Sequence, residues 1–244
     1  MAGVNLLWLE APQVAREAQP GQFIMVRCAE SWDPLLRRAL SIHRVRGSGR
    51  AVQAFAVLYS VHGAGTSSLA RKQAGDVVDV LGPMGNGYTV HLNAERLLLI
   101  GAGWGISPLV ALAEQQVARG KAVTLLAGAS MASAHYPAAW LPPEVEVVYA
   151  TDDGSLGKQG SVVDLAPEYW AWADAVYACG PFALYQFLAR VAAAQWPEKP
   201  VQALAESPMA CGMGACFSCA VETKRGVRLA CKDGPRFDLK DLVL

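Results

Sequence analysis

Four cysteines near the C-terminus constrain this chain more than any other feature of its sequence. They are Cys211, Cys216, Cys219 and Cys231, spaced C-x4-C-x2-C-x11-C. The first three match the loop in which thiolates hold a plant-type [2Fe–2S] centre. Gly212 and Gly214 stand between the first two ligands, where glycine lets the backbone approach a cluster and direct N–H groups at its sulfurs. The spacing therefore predicts that these four cysteines bind iron.

Two other uses of the cysteines remain open from the sequence alone. A four-cysteine zinc site favours two separated C-x2-C pairs, and only Cys216 and Cys219 form one. Disulfide bonds need an oxidising compartment. The two other cysteines, Cys28 and Cys179, are isolated, as expected in a reducing cytoplasm. Iron ligation is the favoured interpretation, and it makes the chain an electron-transfer protein.

Composition narrows the range of partners. The chain has 244 residues, 53% of them hydrophobic, which suffices for two modest domains and an appendage. Lys and Arg number 21, as do Asp and Glu, so no basic surplus points to nucleic acid or anionic lipid. A nearly neutral and apolar chain dissolves poorly by itself, which favours a permanent protein partner.

No targeting or membrane segment is predicted. The N-terminal residues lack the basic region and long apolar run of a signal peptide. Residues 97–113 carry no charge, but three glycines and a proline interrupt them. A strand, a tight turn and a buried helix explain this stretch better than a membrane span.

Turns and periodicity divide the chain into three predicted parts, residues 1–94, 95–205 and 206–244. In the first, short β-like runs separated by turns predict a small antiparallel barrel; the runs are 22–28, 51–60 and 77–81. In the second, buried strand-like runs alternate with helical ones, which predicts a doubly wound parallel α/β sheet. Its strands are expected at 97–100, 122–127, 145–150, 175–178 and 201–205, and its helices at 106–119 and 182–195. The third is the cysteine-rich lobe.

Two loops of the central part are candidates for binding a nucleotide. The loop Gly101-Ala-Gly103-Trp-Gly105-Ile-Ser-Pro108 follows a buried strand and opens a helix, where a phosphate can meet the backbone. Cys179-Gly180-Pro181 also ends a buried strand, and strand C-termini bind ligands in α/β sheets. An ordinary tight turn, and a cysteine that is simply buried, remain open as alternatives.

The β-rich part contains candidate flavin residues. Arg38 lies close to Ser41, and such a pair can clamp a phosphate or a flavin edge, although two arginines on a strand can also be solvated surface. Leu58-Tyr59-Ser60 precedes a glycine turn and a helix that Thr66 can cap. Tyr59 could pack on a flat ring or be an ordinary strand aromatic.

These motifs together resemble a known family. They are similar to the electron-transfer subunits of the NAD-linked, heteromeric dihydroorotate dehydrogenases, within the ferredoxin–NADP reductase superfamily. Besides the cysteine motif and the segments above, the resemblance covers 82–87, 151–157 and 231–235. It implies a flavin-binding β-barrel, a nucleotide domain and a [2Fe–2S] lobe.

The resemblance also assigns roles to residues. FAD contacts are implied for Arg38, Ala39, Leu40, Ser41, Leu58, Tyr59, Ser60, Gly65 and Thr66. Contacts with NAD(H) are implied for Gly101, Gly103, Gly105, Pro108, Cys179, Gly180 and Pro181. Ala39 replaces the family's usual proline, Trp104 is bulky for its loop, and a first barrel strand is expected to be shortened or missing.

The implied function is electron transfer in pyrimidine biosynthesis. An FMN-containing partner subunit oxidises dihydroorotate, and this chain links it to NAD+ through [2Fe–2S] and FAD, in a cytoplasmic heterotetramer with two copies of each subunit. No catalytic acid or base for dihydroorotate is expected here. The alternatives are a flavin subunit of an electron-bifurcating transhydrogenase or a sulfur-reducing hydrogenase, and a zinc-stapled nucleotide-binding module without redox function. Residues 128–133 offer no arginine for a 2′-phosphate, which favours NAD over NADP.

Overall fold

An antiparallel sheet of five strands forms the N-terminal domain. The structure is a computed structural model that describes residues 3–29, 33–47 and 51–244. The elements of this domain are β1 (Val4–Glu10), α1 (Pro12–Glu17), β2 (Phe23–Val26), β3 (Arg38–Arg46), β4 (Ala54–Ser60), α2 (Ala64–Ala70) and β5 (Val80–Met84). The strand order is β1-β4-β3-β2-β5, and every pairing is antiparallel. The sheet and both helices enclose one apolar core that includes Ile24, Phe55 and Leu69.

The first strand differs from the expectation that it is shortened or missing. β1 is seven residues long and pairs with β4 from Val4 to Glu10. Apolar side chains lie on both faces of the strand between Leu6 and Leu9, and both faces are partly covered. Leu7 and Leu9 pack on the core of the domain, whereas Leu6 packs towards the neighbouring domain. The strand therefore shows no alternation of polar and apolar residues that would mark it in the sequence.

The central domain is a mixed sheet of seven strands. Its elements are β6 (Arg96–Ala102), α3 (Ile106–Val117), β7 (Ala122–Ala129), β8 (Glu146–Thr151), β9 (Lys158–Gln159), α4 (Ala166–Trp170), β10 (Ala175–Cys179), α5 (Phe182–Gln195) and β11 (Val201–Leu204). The strand order is β14-β11-β10-β6-β7-β8-β9, in which β14 (Arg236–Asp238) alone is antiparallel to its neighbour. The chain winds from β6 outward in both directions, so β6 and β10 flank the switch point.

Alternate residues of the parallel strands enter two different cores. Leu97 and Leu99 of β6 face α3 and, beyond it, the N-terminal domain. Leu98 and Ile100 face α4 and α5 on the other side. The predicted combination of an antiparallel domain with a doubly wound α/β domain is confirmed. The uncharged stretch 97–113 is a strand, a tight turn and a buried helix. Within the described ranges, no helix combines the length and apolar character needed to cross a bilayer.

The C-terminal lobe is small and lies across both domains. It contains the cysteine loop and a hairpin of β12 (Ala220–Thr223) and β13 (Gly226–Leu229). The chain then returns through Cys231 to β14, which adds to the central sheet beside β11. The division of the chain at residues 94 and 205 stays a prediction.

Candidate functional site

The four clustered cysteines come together as two pairs. Cys219 and Cys231 are buried, and their Sγ atoms lie 3.3 Å apart. Cys211 and Cys216 lie closer to solvent; the Sγ of Cys211 accepts from the N–H of Ala215, and the Sγ of Cys216 is hydrogen-bonded to the hydroxyl of Ser218. The backbone N–H of Gly214, between Cys211 and Cys216, donates to the Sγ of Cys231 over 3.1 Å. The loop therefore folds back so that both pairs share one site.

This arrangement fits a centre with two metal ions. Among the described residues, no group of three or more His, Cys, Asp or Glu side chains is placed to hold a metal ion. Four thiols brought together by the loop and the return segment are nevertheless the donor set of a [2Fe–2S] cluster, in which four thiolates serve two irons. Backbone N–H groups of Met213 and Ala215 donate to the Sγ of Cys211 at 3.4 and 3.3 Å. Such N–H···S bonds are a means by which proteins tune iron–sulfur centres.

Backbone conformation and local charge suit the loop to metal binding. Gly212 and Gly214 have φ of 74° and 85°, in the left-handed region that glycine tolerates best. Hydrogen bonds from Ser218 lower the pKa of Cys216 to about 6, which favours the thiolate that binds metal. Burial has the opposite effect on Cys231, whose pKa it raises to about 12.

The cysteine lobe is packed on the sheet of the N-terminal domain. Cys219 and Cys231 share an apolar cluster with Phe23 and Met25 of β2. A Cβ on Gly212 would lie 2.5 Å from the Met25 Cγ, so the backbone of Gly212 lies directly against the Met25 side chain. Asn86 fixes the return segment, because its side-chain amide donates to the carbonyl groups of Lys232 and Asp233.

On the N-terminal domain, Arg38 and Gly65 come together. The guanidinium of Arg38 lies over the start of α2, where a Cβ on Gly65 would be 3.1 Å from its Nε. Arg37 is already engaged, since it makes a two-bond ion pair with Asp79 at 2.8 and 3.0 Å. Of the two neighbouring arginines, Arg38 is therefore the one placed for an anionic ligand.

The other expected flavin residues are less uniform in their positions. Leu58 and Tyr59 are both buried, but on opposite faces of β4 and in different cores. Ser60 is hydrogen-bonded to His62 over 2.5 Å. Thr66 caps α2, because its hydroxyl accepts from the N–H groups of His62 and Gly63. Ala39, Leu40 and Ser41 pair with β2. Contacts of these residues with FAD stay predictions.

We expect Arg38→Ala to weaken FAD binding about ten- to a hundredfold, since a hydrogen bond to a charged group contributes roughly 1.5–3 kcal/mol. The protein should fold but lose flavin on dialysis, which absorption at the flavin bands measures. Arg37→Ala is the matched control: it breaks the ion pair with Asp79 and should leave FAD bound. Stoichiometric FAD in dialysed Arg38→Ala would contradict the assignment.

The two predicted nucleotide loops lie side by side. Gly101 pairs with Cys179 at the C-terminal ends of β6 and β10, which is the switch point of the sheet. Gly105 packs so closely on the second loop that a Cβ there would overlap the carbonyl of Cys179. A Cβ on Gly180 would lie 3.0 Å from the Cβ of Ala102. Glycine at these positions is required by the approach of the two loops.

The start of α3 has the features of an anion site. This helix is twelve residues long, and its first turn follows Gly105 directly. Ser107 is buried there, and its Oγ has no hydrogen-bond partner among the described residues. Pro108 is buried in the same turn. The N-terminus of this helix, directly after the glycine loop, is suited to the diphosphate of a nucleotide.

Glu206 is a site residue that the sequence did not reveal. The thiol of Cys179 donates to its Oε1 over 3.6 Å. Burial raises the pKa of the Cys179 thiol. Glu206 is exposed at the surface, but desolvation by the protein around its carboxyl group raises its pKa as well. A cavity of about 440 Å³ beside them is bordered by Gly180, Pro181 and Glu206. A larger cavity of about 750 Å³, between α5 and the C-terminal residues, contains none of the predicted residues. Glu206 follows β11 and belongs to no sequence motif, so only the fold shows that it lies beside Cys179.

Comparison with known proteins agrees with this geometry. Residues 206–243 match a sequence model of the iron-sulfur cluster binding domain of dihydroorotate dehydrogenase B. The chain is 38% identical to the dihydroorotate dehydrogenase B (NAD(+)) electron transfer subunit of Bacillus caldolyticus, over 98% of this chain and 92% of that protein. It is 37% identical to the protein of the same name from Desulforamulus reducens, over 97% and 92%.

Solved structures show the same architecture. A structure reported for flavin-based electron bifurcation by an NADH-dependent reduced ferredoxin-NADP oxidoreductase superposes with a TM-score of 0.85 and 27% identity, over 99% of this chain and 85% of that one. A ferredoxin NADP+ reductase from Neisseria gonorrhoeae with bound FAD and NADP has a TM-score of 0.61 at 16% identity, over 78% of this chain and 84% of that one, which shows the fold alone.

Proposed function

The chain belongs to the family of dihydroorotate dehydrogenase B electron transfer subunits, and from this we propose that it links a dihydroorotate-oxidising partner to NAD+. It is an oxidoreductase subunit of pyrimidine biosynthesis. Its partner is the FMN-containing catalytic subunit, with two copies of each in a cytoplasmic heterotetramer. The observation that carries the proposal is one chain that combines a four-cysteine cluster site with flavin-type and nucleotide-type loops.

The three cofactors divide the chemistry. When bound, FAD exchanges a hydride with NAD(H) and single electrons with the [2Fe–2S] centre, because a flavin is stable in both one- and two-electron states. We assign the iron to Cys211, Cys216, Cys219 and Cys231. Arg38 holds the diphosphate of FAD, and the loop from Gly101 to Pro108 holds that of the nucleotide.

The thiol of Cys179, at the proposed nicotinamide end of the site, retains its proton. The raised pKa of Cys179 keeps its thiol protonated at neutral pH, and the Sγ–H is directed at the Oε1 of Glu206. Cys179, Gly180 and Pro181 border the place for the nicotinamide, and the backbone of Cys179 and Gly180 packs directly on Gly105. We assign the oxidation of dihydroorotate to the partner subunit and no catalytic acid or base for it to this chain.

The bifurcating enzyme is an alternative with a similar structure, but the identity favours the dihydroorotate family. The chain is 38% identical to the Bacillus caldolyticus subunit and 27% identical to the bifurcating protein. The cluster-domain match likewise favours iron over the zinc-stapled alternative.

Anaerobic stopped-flow absorption tests the division of labour. We expect NADH to bleach the flavin of the isolated chain, and dihydroorotate to bleach it only after the FMN subunit is added. The reason is that the proposed nucleotide loops lie in this chain, whereas we expect dihydroorotate to bind to the FMN subunit. Bleaching by dihydroorotate without the partner would contradict the proposal. Failure of NADH to bleach the flavin would instead favour the bifurcating or hydrogenase type.

A further inference from the structure

His43 occupies an irregular position on the strand that carries the expected flavin residues. It lies in β3, two residues beyond Ser41. The pairing of β3 with β4 shifts register between Ile42 and Arg44, so His43 is the additional residue of a β-bulge. A bulge redirects side chains and is frequent beside functional sites. Here it directs His43 away from its own domain and towards the first turn of α3.

The ring of His43 is completely buried and fully hydrogen-bonded. Its Nδ1 lies 2.8 Å from the carbonyl oxygen of Ser107, and its Nε2 lies 3.0 Å from the hydroxyl of Tyr136. A carbonyl can only accept, so Nδ1 carries the proton of the neutral ring, and Nε2 accepts from Tyr136. Burial lowers the pKa of His43 to about 4, which keeps the ring in this neutral form at physiological pH.

Both partners of His43 belong to the nucleotide-binding side. Ser107 is part of the Gly101–Pro108 loop, and Tyr136 follows β7. The next residue, Arg44, continues the connection, because its guanidinium forms an ion pair with Glu114 of α3 at 2.5 Å and donates to the carbonyl of Trp140. His43 and Arg44 of the bulge therefore connect β3 to both ends of α3, through Ser107 at its start and Glu114 near its end.

We propose that His43 is a positioning residue that sets the nucleotide loop at its working distance from the flavin strand. The proposal rests on the proposed function. Hydride transfer requires the two reacting atoms within about 3–3.5 Å of each other, and a displacement of 1 Å can cost roughly a hundredfold in rate. The bond from Nδ1–H to the Ser107 carbonyl runs directly from the flavin strand to the loop that holds the nucleotide.

Two substitutions of His43, one that keeps an N–H donor and one that removes it, test this role. His43→Leu fills similar space but cannot donate to Ser107, whereas His43→Asn places an amide N–H where Nδ1–H was. We expect His43→Leu to lower the limiting rate of flavin reduction by NADH about ten- to a hundredfold, while the Kd for NADH changes less than about threefold. His43→Asn should recover most of the rate. A merely structural residue would not show this rescue.

Two further measurements separate positioning from general stability. Hydrogen exchange of peptides covering residues 103–110 should accelerate in His43→Leu and not in His43→Asn. Tyr136→Phe, which removes only the partner of Nε2, should keep both the rate and the protection. The proposal is overturned if His43→Leu reduces at the wild-type rate, if His43→Asn is as slow as His43→Leu, or if exchange is unchanged. If NADH does not reduce the wild-type flavin, the proposed function fails, and hydrogen exchange still decides whether His43 holds the loop.

Discussion

Cys219→Ser is expected to remove the iron–sulfur centre while leaving the flavin reducible by NADH. Cys219 is buried, and its Sγ lies 3.3 Å from that of Cys231, so solvent does not reach the position of the lost thiolate to replace it. A hydroxyl is a poor iron ligand compared with a thiolate, and a cluster with three strong ligands is exposed to loss. Iron and acid-labile sulfide should fall from about two per chain towards zero. Transfer to the partner subunit should stop.

The remaining cysteines sharpen this test. Cys231→Ser should behave like Cys219→Ser, because the two form one pair, and Cys211→Ser and Cys216→Ser should also lower the iron content. Cys28→Ser is the matched control, since Cys28 is also buried but lies in the core of the N-terminal domain. Full iron occupancy in the Cys219→Ser and Cys231→Ser proteins would refute the ligand assignment.

Gly105→Ala should abolish efficient reduction by NADH without affecting FAD or iron. The backbone of Gly105 has φ of −60°, which alanine adopts readily, so the effect is one of space alone. The new Cβ would overlap the carbonyl of Cys179 and lie 2.8 Å from the nitrogen of Gly180, which forces the two nucleotide loops apart. A separation of about 1 Å is expected to cost roughly a hundredfold in hydride transfer. Stopped-flow reduction by NADH measures this loss.

Gly120→Ala separates this effect from loss of stability. Gly120 has φ of +79°, and among the described residues no atom lies within 4 Å of the place a Cβ would take, so alanine there strains the backbone without a clash. It should cost about 1 kcal/mol of stability and leave reduction by NADH intact. If flavin reduction by NADH is equally slow in the Gly120→Ala protein, the slower reduction in Gly105→Ala results from destabilisation and not from the contact between the two nucleotide loops.

The parts of the fold that were predictable are those whose signals are local. The helix expected at residues 182–195 is α5, because its apolar positions recur at the helical period and Pro181 precedes it. The buried strands of the central sheet were readable as short apolar runs between turns. Three of the four clustered cysteines lie within one loop, so their spacing predicts an iron–sulfur site without any knowledge of the fold, and the assignment of the four ligands stays a prediction.

The unpredicted features depend on contacts between distant residues. His43 meets Ser107, 64 residues away, through a bulge that leaves no mark in the composition of β3. Glu206 meets Cys179 only because β11 lies beside β10. β1 was obscured because both of its faces are covered. In each case the deciding contact is made by the assembled domains, and no local pattern reports it.

The strand β14 has a consequence for how electrons leave this chain. The cysteine lobe is tied to the central sheet through β14 and β11, and to the N-terminal domain through Asn86 and the apolar contacts of Met25. An electron carrier that moves between two docking positions needs a hinge. The contacts of the cysteine lobe with both domains oppose such a movement. We therefore expect the distances for electron transfer within the chain to be fixed by its fold. The electron donor and the electron acceptor must then each bind to the chain.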